Sequence, residues 1–257
     1  PPAKTAQKQS IKLKRKWQNK ISVTSHHPFS IPVVTFCPKN ADVLADGLCD
    51  LAQELKKDET RLGAVLSHKW EKGGTANAVE DYEEGGYTSF RSGINLFKEP
   101  HREKFMPLHE AALEACFNYV TQTPWQNQDS NPPEGLLTHA WVSIYGKDHF
   151  VPEHIHTDSH ISFVFYGASD ESTGHIRFRN PAAQSFRMSH TLAAEMFCEV
   201  YAFPPKVGHF IVFPSFMSHY TDQHKGDEDR VIYSGNFVFR RTYLGDGFLN
   251  AAKLSDS

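Results

Sequence analysis

Two stretches in the N-terminal half of the chain carry apolar residues at every third or fourth position. They predict helices over residues 40–57 and 105–119. A β-branched and aromatic run at 31–36 precedes the first helix and predicts a strand. Pro32 places this strand at a sheet edge, because proline has no amide hydrogen to donate to a neighbour. Residues 58–102 predict loops with short strands, and 121–135 predict a loop. Residues 182–196 are compatible with a flap over the mouth of the core or with a long connection.

From about residue 139 to residue 239 the apolar positions follow the period of two that is typical of strands. The strands predicted in this part are 139–146, 161–167, 174–179, 197–203, 208–213 and 230–239. Several short strands with turns between them are typical of a sandwich or a barrel. The pattern therefore predicts a mainly β fold in which the two helices pack on the outside of a β core.

The composition is that of a globular protein. The chain has 257 residues, of which 39% are hydrophobic and 12% aromatic, enough for a sizeable core. No apolar run approaches the length of a membrane span, and the N-terminal stretch lacks an apolar segment of the signal-peptide type. The four cysteines are scattered, which favours reduced thiols in a cytoplasmic protein over a disulfide framework or a zinc site.

The net charge of −3 is unevenly distributed. Residues 1–41 contain eight lysines and arginines and no acidic residue. This bias predicts a flexible basic arm at 1–29, followed by a single domain at 30–257. A second reading of the basic cluster at 12–16 is contact with phosphates or with an acidic partner. No downstream stretch resembles a nucleic-acid-binding module, so a nucleic-acid partner is not expected.

The strongest chemical signal is a histidine-rich stretch at 154–160 that leads into a predicted strand. His156 and Asp158 are two positions apart, and on an extended segment such side chains point the same way. A neutral imidazole and a carboxylate are suitable ligands for a divalent metal such as iron. His219 is the candidate for a third ligand, and Arg230 follows it at the start of another strand-like run.

The order of these residues resembles that of the Fe(II)/2-oxoglutarate-dependent oxygenases. In that superfamily a His-x-Asp pair is followed by a distant histidine and then by an arginine, as His156, Asp158, His219 and Arg230 are here. The closer resemblance is to a group of bacterial and phage members, and it covers roughly residues 30 to 240. Its landmarks are Gly85-Gly86-Tyr87-Thr88-Ser89, Trp141, Gly174-His175-Ile176-Arg177-Phe178 before Asn180-Pro181, Phe213-Pro214-Ser215, and the run from Arg230 to Asn236.

The resemblance implies a double-stranded β-helix, that is, a jelly-roll or cupin-like barrel, with its core at about 139–239. It also implies Fe(II) and the cosubstrate 2-oxoglutarate, with the iron held by His156, Asp158 and His219. Arg230 would bind the far carboxylate of the cosubstrate, because a guanidinium can donate two parallel hydrogen bonds to a carboxylate. The implied reaction uses molecular oxygen to hydroxylate an unactivated C–H bond of a small molecule, with release of succinate and CO2.

Two site assignments stay open in the sequence. His154 competes with Asp158, because residues 154 and 156 are also two positions apart. Many relatives carry a serine two residues after the arginine, and this position is an isoleucine here. The candidates for the second contact with 2-oxoglutarate are Tyr145, Tyr233 and Ser234.

Two other kinds of protein are compatible with the same histidines. The first is a cupin-type metalloenzyme, either an isomerase or a dioxygenase that needs no cosubstrate. The second is a metal-binding barrel without enzymatic activity. No membrane partner is expected, and a homodimer is compatible with the sequence.

Overall fold

A computed structural model describes residues 31–61, 87–90, 92–122, 134–170, 174–183 and 199–240. The predicted basic arm, the glycine pair at 85–86 and most of the connection at 182–196 lie outside these residues. All described residues except Ile31 lie within one compact unit, Pro32–Ser257. Among the described helices, none has the length and apolar character needed to cross a bilayer. The described elements are β1 (Val34–Phe36), α1 (Ala41–Arg61), β2 (Tyr87–Thr88), α2 (Met106–Gln122), β3 (Glu134–Tyr145), β4 (Ile161–Ala168), β5 (Ile176–Arg179), β6 (Val200–Phe203), β7 (Phe210–Pro214), β8 (His219–Thr221) and β9 (Arg230–Arg240).

The strands form two antiparallel sheets. The larger sheet has the order β1-β7-β4-β9-β3-β2, and the smaller sheet has the order β6-β5-β8. Neighbours in both sheets are far apart in sequence, as in the pairing of β3 with β9. This arrangement is the double-stranded β-helix that the sequence resemblance implies, and the mainly β fold class is confirmed.

The larger sheet has two different faces because successive side chains of a strand point to opposite sides. We call them the helix face, which packs on α1 and α2, and the inner face, which looks toward the smaller sheet. On β4, Phe163 and Phe165 belong to the helix face, whereas Val164 and Tyr166 belong to the inner face. The same alternation along β9 gives Arg230, Ile232, Ser234 and Asn236 to the inner face.

The two helices cover the helix face with their apolar side chains. Leu48 and Ala52 of α1 and Leu108 and Cys116 of α2 are fully or almost fully buried there. The helices extend somewhat further than their apolar periods predict, α1 to Arg61 and α2 to Gln122. Their predicted place on the outside of the β core is confirmed.

Two elements differ from the sequence prediction. β3 begins at Glu134, inside a stretch predicted as a loop, because its pairing with β9 continues as far as Arg240. β8 lies between two predicted strands and was not itself predicted, because three residues are too few to produce a recognisable alternation. Its residues are held instead by pairing with β5, which fixes His219 opposite Phe178.

Candidate metal centre and cosubstrate pocket

Three imidazoles meet on the side of the smaller sheet that looks toward the inner face of the larger sheet. His154 and His219 donate backbone hydrogen bonds to each other, each at 3.0 Å. Residues paired in this way lie directly opposite each other, so that their side chains share one face. Their ring centroids are 4.2 Å apart. His156 lies two positions further along the same segment, and one ring nitrogen from each of the three histidines lies within 4.8 Å of the others.

The second ring nitrogen of each histidine is held by a hydrogen-bond acceptor. Nδ1 of His154 lies 2.8 Å from the carbonyl of Pro152, and Nδ1 of His219 lies 2.9 Å from that of Met217. A carbonyl only accepts, so in both rings the proton lies on Nδ1 and the lone pair on Nε2. Metal-binding histidines are commonly oriented in this manner.

His156 is held by a side chain rather than by the backbone. Its Nδ1 lies 2.7 Å from Oδ1 of Asn236, and the hydroxyl of Ser162 is within 2.9 Å of the same nitrogen. Ser162 also donates to Asn236 Oδ1 at 3.0 Å, so that oxygen accepts and Nδ1 of the histidine donates. The lone pair of His156 therefore also lies on Nε2.

Burial keeps these histidines neutral. It lowers the pKa of His154, and it is the main cause that lowers the pKa of His156 to about 4 and of His219 to about 3. The neighbouring imidazoles add to the effect in His156 and His219. Imidazole must be neutral to bind a metal, and imidazole nitrogen is a suitable donor for Fe(II). The donor set therefore fits the iron that the sequence resemblance implies.

The structure does not bring Asp158 to the three imidazoles. Its φ angle of 56° lies in the left-handed region, which interrupts the strict alternation of an extended segment. Its side chain is exposed, and its Oδ2 accepts a 3.4 Å hydrogen bond from the hydroxyl of Thr157. The ligand role of Asp158 stays a prediction. His224, five residues after His219, does not join the three imidazoles. Its Nε2 donates instead to the carbonyl of Glu228 at 2.6 Å.

Arg230 is fully buried and has no acidic partner among the described residues. Nη1 donates to the carbonyl of Gly174 at 3.3 Å, and Nη2 donates to Oγ1 of Thr221 at 3.4 Å. Nε has no hydrogen-bond partner within the described part of the chain. The guanidinium carbon lies 4.7 Å from the centroid of the Tyr145 ring. Burial lowers the pKa of Arg230, yet an arginine in a protein remains a cation, so this buried charge favours an anion beside it.

The three candidates for a second cosubstrate contact occupy different places. Tyr145 is buried beside the guanidinium, and Ser234 is half-buried on the inner face. In the register of β3 and β9, Ser234 pairs with Trp141, whose ring is 5.6 Å from that of His156. Tyr233 points to the helix face, where its hydroxyl donates to the carbonyl of Leu48 at 2.6 Å. Tyr233 is therefore a structural residue.

Sequence reasoning did not single out Asn236, Ser162 and Ser215 as site residues. The alternation of side chains along a strand could have indicated Asn236, because it lies an even number of residues after Arg230 and therefore on the same side of β9. The hydroxyls of Ser162 and Ser215 are 2.8 Å apart, and Ser159 donates to Ser215 at 2.8 Å. This chain of hydroxyls leads from the half-buried Ser159 at the rim of the site, through the buried Ser215 and Ser162, to Asn236. No sequence signal identifies it, because serines are common in strands and turns alike.

The comparisons with known proteins agree with the sequence resemblance. The profile of a family described as "Putative 2OG-Fe(II) oxygenase" matches residues 139–236, the part of the chain that contains all three histidines and Arg230. The match confirms the superfamily that the sequence motifs indicate. It also supports Fe(II) and 2-oxoglutarate, which the family description names, and an oxidoreductase class of activity. No curated protein sequence is significantly similar to the chain.

Solved structures agree with the fold. SnoK, a non-heme alpha ketoglutarate dependent carbocyclase from nogalamycin biosynthesis, shares 10% identity over 86% of each chain with a TM-score of 0.52. AviO1 from Streptomyces viridochromogenes shares 15% identity over 81% of this chain and 90% of its own, with a TM-score of 0.51. An oxidoreductase of the 2OG-Fe(II) oxygenase family from Burkholderia pseudomallei aligns over 55% of this chain and 59% of its own, with 15% identity and a TM-score of 0.39. At such identities the first two similarities show the fold alone.

Proposed function

We propose that this chain is an Fe(II)- and 2-oxoglutarate-dependent oxygenase that hydroxylates a C–H bond of a small organic molecule. In this proposal His154, His156 and His219 bind the iron, and Arg230 binds the far carboxylate of 2-oxoglutarate. The observation that carries the proposal is the convergence of three neutral imidazoles next to a buried arginine that lacks an acidic partner. Molecular oxygen would be the oxidant: one of its atoms would enter the C–H bond and the other the succinate that forms when 2-oxoglutarate loses CO2, with the bound iron supplying the redox chemistry.

The distance between the two groups suits the cosubstrate. Nη2 of Arg230 contacts Thr221, which lies two positions after His219 on β8. Two residues of a strand span about 6–7 Å. A short dicarboxylate can therefore extend from the histidines to the guanidinium. Fe(II) and Arg230 together carry three positive charges and the three neutral imidazoles none, so the two negative charges of the cosubstrate would lower the net charge of the site to +1.

An aromatic wall beside the histidines supports a small organic substrate. The ring of Trp141 is 5.6 Å from that of His156, and the rings of Phe90 and His139 lie 5.0 and 5.6 Å, respectively, from that of Trp141. Phe90 is 54% exposed, and Nε2 of His139 is buried without a partner among the described residues. Burial lowers the pKa of His139, so this wall is neutral. Such a surface favours an apolar body with one polar atom over a highly charged substrate.

A cupin-type dioxygenase that needs no cosubstrate is the second candidate. The all-histidine ligand set favours it, because no carboxylate of the described residues joins the three imidazoles. This alternative gives no role to Arg230. A buried cation without an acidic partner costs stability, and a cosubstrate-free enzyme would have no use for it.

The deciding experiment is an anaerobic titration of the Fe(II)-loaded protein with 2-oxoglutarate. Chelation of iron by the cosubstrate is expected to produce a charge-transfer absorption band, whereas a cosubstrate-free enzyme would show none. His154→Ala and Asp158→Ala form a matched pair of variants. We expect His154→Ala to lose the metal and Asp158→Ala to retain both metal and band. The opposite metal contents would assign the ligand role to Asp158, and succinate release in a screen of metabolites would then identify the substrate class.

A further inference from the structure

Two of the three proposed ligands lie on a segment outside the regular strands. Residues 151–160 contain only an isolated bridge at His154, which pairs with His219 at the free edge of β8. Besides this bridge, backbone hydrogen bonds of 3.0 Å join Val151 to Thr221, His156 to Ser215, and His160 to Ser215 and Phe237. These bonds are scattered and do not form a continuous ladder, so side-chain contacts also contribute to the position of the segment.

Such contacts lie on the outer face of the smaller sheet. Arg179 of β5 donates two hydrogen bonds to Glu153, from Nε to Oε1 at 2.6 Å and from Nη2 to Oε2 at 2.8 Å. The hydroxyl of Ser218 donates to the same Oε1 at 2.6 Å. Nη1 of Arg179 reaches Oε1 of Glu199 at 3.2 Å. The four side chains form a tie that runs across the strands, from the start of β6 to the segment that carries the ligands.

The tie lies directly behind two of the ligands. Glu153 immediately precedes His154, and Ser218 immediately precedes His219. Because successive residues point to opposite sides, the contact between Glu153 and Ser218 on the outer face opposes the pair of imidazoles on the inner face. Any change in the separation of Glu153 and Ser218 therefore changes the separation of the two histidines.

We infer that Glu153 and Arg179 are positioning residues that set the spacing of His154 and His219 and thereby the affinity for the metal. The inference rests on the ligand set proposed above. Neither residue touches the metal. Metal–ligand distances tolerate deviations of only about 0.2 Å, so a small displacement of the His154 segment weakens binding.

This role differs from an ordinary contribution to stability. The side chains of Arg179 and Glu153 are 36% and 39% exposed, and exposed ion pairs contribute little to the free energy of unfolding. The two-fold hydrogen bond from a guanidinium to a carboxylate nevertheless fixes direction as well as distance. The structure thus predicts a defect in metal affinity that is large in comparison with the defect in stability.

The sheet itself offers a matched control. Arg177 lies two positions before Arg179 on the same face of β5, and its side chain is also 36% exposed. It pairs with Asp222 at 2.6 Å, the same distance as that between Arg179 and Glu153. Unlike Glu153, Asp222 does not adjoin a proposed ligand. Arg177→Met and Arg179→Met therefore each remove an ion pair from the same face of β5, and Arg179→Met in addition removes the contact with Glu199.

The test is the dissociation constant for Co(II), measured by calorimetry without 2-oxoglutarate, together with the melting temperature. We expect Arg179→Met to weaken Co(II) binding about tenfold. Arg177→Met should change it by less than about twofold, with a similar shift in melting temperature for both. Equal Co(II) affinities in the two variants would overturn the inference.

Two further variants keep the test decisive if Arg179→Met folds poorly. Arg179→Lys retains one of the two hydrogen bonds to Glu153 and should have an intermediate Co(II) affinity. Glu153→Gln should also weaken Co(II) binding. The double variant should bind Co(II) no more weakly than Glu153→Gln alone. Additive losses or unchanged affinities would contradict a shared role. Failure of the proposed function has a different signature, because wild-type protein would then bind Co(II) but give no charge-transfer band with Fe(II) and 2-oxoglutarate.

Discussion

The helix face and the inner face of the larger sheet are built from alternate residues of the same strands, yet they differ in chemistry. On β4, Phe163 is buried among apolar side chains of the helix face, whereas its neighbour Ser162 forms hydrogen bonds on the inner face. On β9, Tyr233 packs toward α1, whereas Arg230 and Asn236 face the candidate metal centre. The backbone hydrogen bonds are common to both faces, so the difference lies in the side chains alone.

The difference separates what holds the fold from what prepares the site. Burial of apolar area is nondirectional and stabilises the helix face roughly in proportion to the area covered. The inner face instead buries a cation and several polar groups, which costs stability unless a partner compensates it. Variants on the two faces should therefore change different quantities, and the following predictions test this separation.

The largest expected effect is on the helix face. Phe163 is completely buried, and its ring lies against Gly235, where an added Cβ would come within 2.5 Å of it. We expect Phe163→Ala to lower the free energy of unfolding by about 3–5 kcal/mol, because it leaves a cavity in a packed region. Chemical denaturation measures this change. The Co(II) affinity of the folded protein should stay at its wild-type value, and a parallel loss of affinity would show that the two faces are not independent.

On the inner face, Arg230→Met should have the next largest effect and on a different quantity. Loss of the charge-assisted contacts is expected to weaken 2-oxoglutarate binding by about 2–5 kcal/mol. The free energy of unfolding should stay the same or rise, because the variant removes a buried charge that has no acidic partner among the described residues. Cosubstrate titration and denaturation test the two statements. Unchanged cosubstrate affinity, or loss of the metal, would remove Arg230 from the anchoring role.

The two faces also differ in how far the sequence predicts them. The helix face follows from apolar periods, and both helices and most strands of the larger sheet are where those periods place them. The inner face depends on register between distant segments. Nothing in the sequence states that His154 pairs with His219, and the left-handed φ of Asp158 is not encoded by a recognisable turn motif.

Periodicity alone therefore leaves the choice between His154 and Asp158 open. A net charge argument favours a carboxylate ligand, but it does not contain the direction of the side chain. Arg230 was easier to recognise, because strand-like residues follow it and guanidinium chemistry suits a carboxylate. Its lack of an acidic partner among the described residues is a property of the fold, in which Asp227, three residues before Arg230, pairs with Lys147 at 2.6 Å.

A smaller effect is expected for the side chain that orients His156. Asn236→Ala removes the acceptor 2.7 Å from Nδ1 of His156 and leaves the hydroxyl of Ser162, 2.9 Å away, as the remaining side-chain partner of that nitrogen. Loss of such a partner typically costs 10–100-fold in metal affinity, so we expect a decrease of about that size in Co(II) binding. Ser159→Ala, at the rim end of the hydroxyl chain, is the control and should retain wild-type affinity. Equal effects of the two variants would mean that Asn236 does not position the ring.

The smallest effect concerns the second contact with the cosubstrate and compares two inner-face residues. Tyr145 is buried beside the guanidinium of Arg230, whereas Ser234 is half-buried and lies nearer to the metal centre, opposite Trp141. If the far carboxylate lies on Arg230, Tyr145 adjoins it, because its ring centroid is 4.7 Å from the guanidinium carbon, whereas Ser234 lies opposite Trp141. A neutral hydrogen bond contributes about 0.5–1.5 kcal/mol, so Tyr145→Phe should weaken 2-oxoglutarate binding by roughly 2–10-fold.

Ser234→Ala should have a smaller effect on the same titration, because its side chain lies toward the end of the pocket at which the metal holds the cosubstrate. The decisive readout is the combination with Arg230→Met. If Tyr145 and Arg230 act on one carboxylate, the loss in Tyr145→Phe should largely disappear in the Arg230→Met background, since groups that share a partner are not additive. The loss in Ser234→Ala should persist there. A larger effect of Ser234→Ala than of Tyr145→Phe would mean that the cosubstrate lies closer to β9 and that Tyr145 serves only to support the guanidinium.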